Sequence, residues 1–173
     1  MTVPSMVVFA YDGRGVRGAL DPKVMVRSLL FSTGAQGHAV ETLFLRLWQD
    51  GSEYVFPVWG LATDKLERGG GLFVGKTGLT AWHHFVFSSG SGQEFEFGAG
   101  TYELQIWART NDLNGTVKLW GTELNLAASA SPTRHDGSEQ VWFNRDPESG
   151  RFLARLESRS TLGSRMAEQD AGQ

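Results

Sequence analysis

Residues 70–78 have the spacing of a phosphate-binding loop, because the stretch "GGLFVGKTG" fits the pattern G-x-x-x-x-G-K-Ser/Thr. A working loop of this kind follows a buried strand and leads into a helix whose N-terminal amides hold the phosphates. Here the preceding stretch "ATDKLERGG" is too charged for a buried strand, and the following stretch "LTAWHHFVF" has the pattern of a strand. We therefore predict a loop with a short strand at residues 72–74 and no nucleotide site.

Two acidic residues, Glu94 and Glu96, have the spacing of paired carboxylates on one face of a strand. Many glycosidases divide the roles of acid and nucleophile between such a pair. Phe95 and Phe97 alternate with the two carboxylates and would point to the opposite face of the strand. The simpler interpretation is a solvated acidic edge rather than a catalytic pair.

The histidines and serines indicate no catalytic or metal site. His83 and His84 are adjacent, so on a strand they point to opposite faces and cannot share one metal ion. His38 and His135 lie in glycine-rich loops, where a solvated or hydrogen-bonded imidazole is the simpler interpretation. The G-x-S-x-G motif of serine hydrolases is absent, and the chain has no cysteine. We predict that the protein is not an enzyme and uses no catalytic residue, metal or cofactor.

The clearest structural signal is a hairpin in the stretch "LFLRLWQDGSEYVFPVW". Asp50 and Gly51 suit a two-residue type I′ turn, because both turn residues need a positive φ angle. Counting outward from Gln49 opposite Ser52 gives one apolar face, which pairs Leu47 with Tyr54, Leu45 with Phe56 and Leu43 with Val58. The other face is mixed and pairs Trp48 with Glu53, Arg46 with Val55, Phe44 with Pro57 and Thr42 with Trp59.

Pro57 constrains the position of the second hairpin strand. A proline has no N–H to donate to a neighbouring strand, so we predict that this strand lies at a sheet edge or carries a bulge. An edge strand is also a place where a partner chain can attach.

A second alternating segment, "TYELQIWART", has the same division into an apolar and a mixed face. Its mixed face carries Trp107 between Gln105 and Arg109. In the following stretch, "TVKLWGTELNL", the apolar positions change parity at Gly121, which predicts a bulge there.

The other strand candidates are short and separated by loops rich in Gly, Ser, Asn and Asp; they lie at residues 6–11, 72–74, 82–87, 94–97, 140–144 and 151–157. About nine strands with little helical periodicity predict an all-β fold, an antiparallel two-sheet β-sandwich of jelly-roll type. One segment has two interpretations. Asp21 and Pro22 suit a helix start, whereas Val24 and Val26 favour a strand, so a short helix near residues 22–31 is the alternative to a strand.

Length and composition predict one domain. A chain of 173 residues with 40% hydrophobic residues is long enough to close a single core. From residue 159 the sequence "RSTLGSRMAEQDAGQ" is polar and has few residues that could be buried. We predict a β-sandwich domain over residues 1–158 and a polar C-terminal tail over residues 159–173.

The charges point to neither nucleic acid nor a membrane as a partner. The 16 Lys and Arg residues and 19 Asp and Glu residues give a net charge of -3, which is spread along the chain. The apolar run at residues 6–11 is too short for the core of a signal sequence or for a membrane span. We predict a protein that is cytoplasmic when synthesised and that can be incorporated into an extracellular particle or surface assembly.

Aromatic residues on the mixed faces are the strongest functional signal. The chain has 6 tryptophans, and the alternation places Trp48, Trp59 and Trp107 among polar neighbours. Such rings anchor protein interfaces, they stack on sugar rings, or they are covered by another element of the fold. The candidate binding residues, for an interface or for sugar stacking, are Phe44, Arg46, Trp48, Glu53, Trp59, Gln105 and Trp107.

These observations predict a non-enzymatic structural or attachment subunit of a larger protein assembly, such as a virion, an appendage or a surface complex. Its partners would be other protein chains in a homo-oligomer or hetero-oligomer. The alternative is a carbohydrate-binding module, in which the tryptophans stack on glycans and Arg46, Glu53 and Gln105 supply polar contacts.

Overall fold

The strands of the protein follow the period-two alternation of apolar and polar residues in its sequence. The computed structural model describes residues 1–11, 20–34, 37–63, 65–69, 71–87, 93–111 and 115–158. These residues form eleven strands and one turn of 3-10 helix at Ala128–Ala130, with no α-helix among them. The strands are β1 (Met6–Tyr11), β2 (Pro22–Leu30), β3 (His38–Gln49), β4 (Ser52–Ala62), β5 (Leu66–Arg68), β6 (Leu72–Val74), β7 (Leu79–Val86), β8 (Gly100–Thr110), β9 (Gly115–Leu126), β10 (Glu139–Arg145) and β11 (Phe152–Ser158).

All eleven strands belong to one antiparallel sheet that curls into a half-barrel. The order is β11-β10-β1-β2-β7-β4-β3-β8-β9, with β5 added to β4 and β6 added to β3. The all-β, antiparallel prediction is confirmed. A two-sheet jelly-roll sandwich is not confirmed, because β4 pairs with β3 through residues 52–57 and with β7 through residues 58–62, and so joins the two arms of the sheet.

The predicted hairpin is formed by β3 and β4. Asp50 and Gly51 have φ angles of 51° and 80°, as a type I′ turn requires. The predicted pairing is confirmed from Gln49 opposite Ser52 out to Phe44 opposite Pro57. Past that point it is wrong, because β4 leaves β3 and pairs with β7.

Pro57 lies in a central strand, so the edge-strand prediction is wrong. It is the last residue of β4 that pairs with β3, and Val58 pairs with Phe85 of β7. The register then shifts between Val58 and Gly60, so the alternative of a bulge is confirmed. A residue without an N–H suits the place where a strand exchanges one partner for another.

The segment with two interpretations is the strand β2. Val24 and Val26 are fully buried while Arg27 is exposed, and β1 and β7 pair with β2 on its two sides. A short helix near residues 22–31 is therefore wrong. Val24 and Val26 favour a strand, and β1 and β7 provide hydrogen-bonding partners on both sides of it.

The alternation predicted for β8 is confirmed, since Tyr102, Leu104, Ile106 and Ala108 are all buried. The bulge in β9 is also present, but at a different residue. The register of β9 shifts opposite Ile106 and Trp107, and this leaves Leu119, rather than Gly121, as the additional residue.

Residues 94–97 are not a strand, because the described residues provide no ladder partner for them. Their alternation nevertheless holds. Phe95 and Phe97 are buried in the core, whereas Glu94 and Glu96 are exposed. The segment therefore covers the core as an extended chain without belonging to the sheet.

The centre of the core is an aromatic cluster around Phe9 of β1. The ring of Phe9 lies 4.4 Å from that of Phe97, 5.2 Å from that of Tyr102 and 4.8 Å from that of Phe143. These neighbours belong to the extended segment, β8 and β10. One side chain thus connects the two arms of the curled sheet.

The curl brings the two end strands of the sheet, β9 and β11, close together. The ring of Trp120 in β9 lies 6.0 Å from that of Phe152 in β11, although the two strands are not hydrogen-bonded to each other. The predicted tail, residues 159–173, follows β11 directly and lies outside the described residues.

The phosphate-loop motif forms a loop with a short strand, as predicted, within residues 71–78; Gly70 lies outside the described residues. β6 ends at Val74, and a turn then leads into the strand β7 rather than into a helix. Gly78 has a φ angle of 75°, and a Cβ atom at this position would lie 2.6 Å from the carbonyl oxygen of Leu30. Gly75, the second glycine of the motif, has no such close neighbour. A Cβ atom added there would lie 3.9 Å from the nearest atom, Cε1 of Phe73.

We expect Gly78→Ala to lower the free energy of unfolding by about 1–3 kcal/mol, because alanine at a positive φ is strained and the backbone of β2 must move. Gly75→Ala is the matched control and should change it by about 0.5 kcal/mol or less. Urea denaturation followed by circular dichroism measures both values. Equal losses in the two variants would contradict this account of the motif.

Candidate functional site

The outer side of β4, β3, β8 and β9 carries the mixed faces that the sequence indicates. Leu43, Leu45 and Leu47 of β3 are buried in the core, so Phe44 and Arg46 between them point outward. We call this surface the β3–β8 face. It comprises Phe44, Arg46, Trp48, Glu53, Val55, Pro57, Glu103, Gln105 and Trp107.

The ladder arranges the β3–β8 face in three rows that cross the strands. The central residue of each row belongs to β3, and its neighbours belong to β4 and β8. The rows are Pro57, Phe44 and Trp107; Val55, Arg46 and Gln105; and Glu53, Trp48 and Glu103.

Arg46 lies at the centre of the face. Its Cζ atom is 5.6 Å from the ring centroid of Phe44 and 5.2 Å from that of Trp107. The two rings are nearly parallel, with an interplanar angle of 9° and a centroid distance of 6.4 Å. Both distances from Arg46 fall within the range of cation–π attraction, which holds the guanidinium in place.

An ion pair also holds Arg46. Its Nε atom lies 3.4 Å from Oε1 of Glu53, without the alignment of a hydrogen bond. The two side chains are 37% and 41% exposed, so solvent screens the pair and its contribution to stability is small. The guanidinium makes no hydrogen bond to another described residue. The guanidinium of Arg46 is therefore held in position while its N–H groups form no hydrogen bond with the described residues.

A chain of hydrogen bonds runs along the outer side of β8. The indole Nε1 of Trp107 donates to Oε1 of Gln105 over 3.1 Å, and Nε2 of Gln105 donates to Oε1 of Glu103 over 2.6 Å. These residues are spaced by two, so they share one side of the strand. The chain fixes the amide of Gln105 and the indole of Trp107 before any ligand arrives.

Trp48 and Trp59 occupy different surroundings. Trp48 is half-buried in the row between Glu53 and Glu103. Trp59 lies past the point where β4 changes partner, and both Nζ of Lys23 and Cζ of Arg68 are 4.8 Å from its ring. The structure therefore brings together Phe44, Arg46, Trp48, Glu53, Gln105 and Trp107, and separates Trp59 from that group.

Three residues of these surroundings escaped the sequence prediction. Glu103 was recognisable from the alternation of β8, because it shares the side of Gln105. Lys23 and Arg68 gave no signal, since they reach Trp59 from β2 and β5, which only the folded sheet brings to β4.

The other acidic residues and histidines of the described residues do not form a catalytic or metal cluster. Within the described parts of the chain, no three His, Asp or Glu side chains are close enough to hold a metal ion. Glu96 instead lies 3.4 Å from Nδ1 of His135, whose ring stacks on Tyr11 at 4.4 Å. His83 is buried without a hydrogen bond to either ring nitrogen, and this burial lowers its pKa to about 4.

Comparisons with protein-family models, with curated proteins and with solved structures found no match to this chain. No helix in the described residues is long and apolar enough to cross a membrane. The function is therefore inferred from the geometry of the β3–β8 face.

Proposed function

We propose that the protein is a non-enzymatic structural or attachment subunit of a larger protein assembly, such as a virion, an appendage or a surface complex. The β3–β8 face is its contact surface for another protein chain. The partners are other proteins, in a homo-oligomer or hetero-oligomer, rather than nucleic acid or membrane. The subunit is cytoplasmic when synthesised and is incorporated afterwards into the particle or surface complex, where it acts as a sandwich-like building block.

The observation that carries this proposal is the position of Arg46 over Phe44 and Trp107. Arginine and tryptophan are the residues that most often dominate the energy of protein interfaces. Because the guanidinium is already held by two neighbouring rings and by Glu53, little side-chain freedom is lost when a partner binds.

The exposure of the surrounding residues supports the same proposal. Val55, beside Arg46, is 47% exposed, and Pro57 and Glu103 are exposed as well. No described element packs over them. The face thus combines aromatic rings, an arginine and exposed polar residues, and aromatic residues and arginine are enriched in protein interfaces.

Carbohydrate binding is the second candidate. Trp48 favours it, because the ring is half-buried between two carboxylates that can accept hydrogen bonds from sugar hydroxyls. The other two tryptophans disfavour it. Arg46 lies over the ring of Trp107, and Lys23 and Arg68 lie over that of Trp59, so cations already occupy ring faces that a sugar would need.

We expect Arg46→Ala to weaken association at least about 30-fold, which corresponds to the loss of a residue that dominates an interface. Sedimentation velocity over a wide range of protein concentrations measures the change. Arg109→Ala is the matched control, because Arg109 lies on the same side of β8 and forms only an exposed pair with Glu41. It should leave association unchanged within about twofold.

A panel of glycans, titrated against tryptophan fluorescence, separates the two candidates. A protein that stays monomeric at every concentration and binds one sugar saturably would overturn the assembly proposal. In that case Trp48→Ala should abolish the fluorescence response without unfolding the protein.

A further inference from the structure

The strand β9 has one edge that no described residue covers with hydrogen bonds. It runs for 12 residues and pairs only with β8, at the end of the sheet. The backbone N–H and C=O groups on its other side form no ladder with a described strand, while β11 approaches β9 at Trp120 without hydrogen bonding to it. Unpaired groups of this kind can bind a strand from another chain. Natural edge strands are blunted by proline, by lysines, by being short or by a bulge; β9 contains no proline and a single lysine, and of these devices it carries the bulge at Leu119.

The bulge at Leu119 determines which β9 side chains share a face. Before the bulge Lys118 is opposite Trp107, and after it Glu123 is opposite Glu103. Both β8 partners belong to the β3–β8 face, so Lys118 and Glu123 lie on the same outer side of the sheet. In a strand without a bulge, residues five apart would lie on opposite sides.

We propose that β9 pairs antiparallel with β9 of a second copy of this chain, about a two-fold axis at Gly121, with Leu119 of each copy left out of the new ladder as it is left out of the ladder with β8. In the register that overlaps the whole strand, Gly115 of one copy faces Leu126 of the other. The same register places Lys118 of each copy opposite Glu123 of the other. The pairing therefore creates two symmetric ion pairs and extends both sheets into one.

The charges of β9 favour this partner. Neither Lys118 nor Glu123 forms an ion pair with another described residue. Glu123 is instead directly opposite Glu103 in the ladder, a like-charge arrangement that a nearby cation would relieve. Lys118 of the second copy supplies that cation.

The middle of β9 also suits the two-fold pairing. With Leu119 of each copy outside the ladder, Gly121 faces Gly121 of the other copy, and Trp120 faces Thr122, which lies on the same side of the strand. Trp120 is already held against Phe152 on the core side, so it remains in place when the second strand is added. The bulges of the two copies then lie on either side of the axis, at Leu119 of each strand.

The other end strand, β11, is the weaker candidate. It has 7 residues, against the 12 of β9. Its Arg155 and Glu157 are paired with each other at 3.6 Å, so they offer less charge to a partner strand. A second copy is therefore expected at β9.

This inference deepens the proposed function, because it names the partner at one of two interfaces. A two-fold contact closes after a dimer has formed, so growth into a larger assembly needs a second surface. The β3–β8 face supplies that surface, and the β9 pairing places two such faces side by side on one extended sheet.

The test is a charge exchange followed by sedimentation velocity of the full chain. Lys118→Glu alone and Glu123→Lys alone should each raise the dissociation constant of the dimer about tenfold, because two like-charge contacts replace two ion pairs. An equimolar mixture of the two variants should restore wild-type affinity, since each altered residue then faces its opposite charge. Lys65→Glu is the control, because it changes an exposed lysine of a pair outside β9.

Any of three results would overturn the inference. The wild-type chain stays monomeric, neither variant raises the dissociation constant of the dimer, or the mixture of the two variants does not regain wild-type affinity. Thermal unfolding of each variant shows whether it is folded. Arg46→Ala separates the two proposals. If it removes only species larger than the dimer, both stand; if it dissociates the dimer while the charge exchanges do not, the β9 pairing fails and the proposed function survives.

Discussion

Replacing Phe9 with alanine should lower the free energy of unfolding by about 3–5 kcal/mol, the range for large aromatic residues removed from a core. Phe9 is fully buried, and its ring contacts those of Phe97, Tyr102 and Phe143. Each neighbour comes from a different part of the fold, so no single segment can move inward to fill the cavity. Urea denaturation monitored by circular dichroism and by tryptophan fluorescence measures the loss.

Phe73→Ala is the matched control for this substitution. The Phe73 side chain is 67% exposed on β6, so its removal should cost about 0.5 kcal/mol or less. A loss below about 1 kcal/mol for Phe9→Ala would mean that the core relaxes around the cavity and that Phe9 does not connect the two arms of the sheet.

The protein should lose about 3 kcal/mol of stability through His83 as the pH falls from 7 to 4. Desolvation in the core lowers the pKa of His83 from 6.5 to about 4, and a poorly aligned contact with the Ser28 backbone only partly opposes this change. Well above pH 6.5 the imidazole is neutral in both states, and its contribution to stability does not change with pH. Between pH 6.5 and 4 the unfolded chain binds a proton that the folded chain does not, so stability falls with pH.

His83→Leu tests this prediction, because leucine fills a similar volume without a titrating group. The free energy of unfolding, measured at several pH values, should fall less steeply for the variant than for the wild type over this window. His135→Gln is the control, since it removes an imidazole that is 41% exposed. An identical slope in wild type and His83→Leu would show that His83 gains a proton in the folded state as readily as in the unfolded one.

Local alternation explains why much of the sheet was predictable from the sequence. The positive φ angles required at Asp50 and Gly51 fix the register of β3 against β4 for every residue up to Pro57. Most of the candidate site follows from that register, because Arg46 and Glu53 belong to this hairpin. Gln105 and Trp107 follow from the alternation of β8 in the same way.

The remaining features depend on contacts between distant parts of the chain. The point at which β4 leaves β3 depends on its pairing with β7, a strand that lies outside the hairpin. The neighbours of Trp59 therefore could not be deduced from the hairpin alone. Residues 94–97 illustrate a different limit. Alternating apolar residues predict which side chains are buried, and Phe95 and Phe97 are buried as predicted. The same alternation does not determine whether the backbone forms hydrogen bonds with a neighbouring strand, and here it does not.

The position of β1 between β2 and β10 has a consequence for how the chain folds during its synthesis. Val7 pairs with Val26 on one side and with Phe143 on the other. One side of β1 therefore stays unpaired until β10 has been synthesised. Contacts between such distant residues slow folding, and an uncovered strand favours aggregation in the meantime. We expect nascent chains that stop before β10 to be caught by chaperones or to aggregate, and chains that extend past β11 to become soluble.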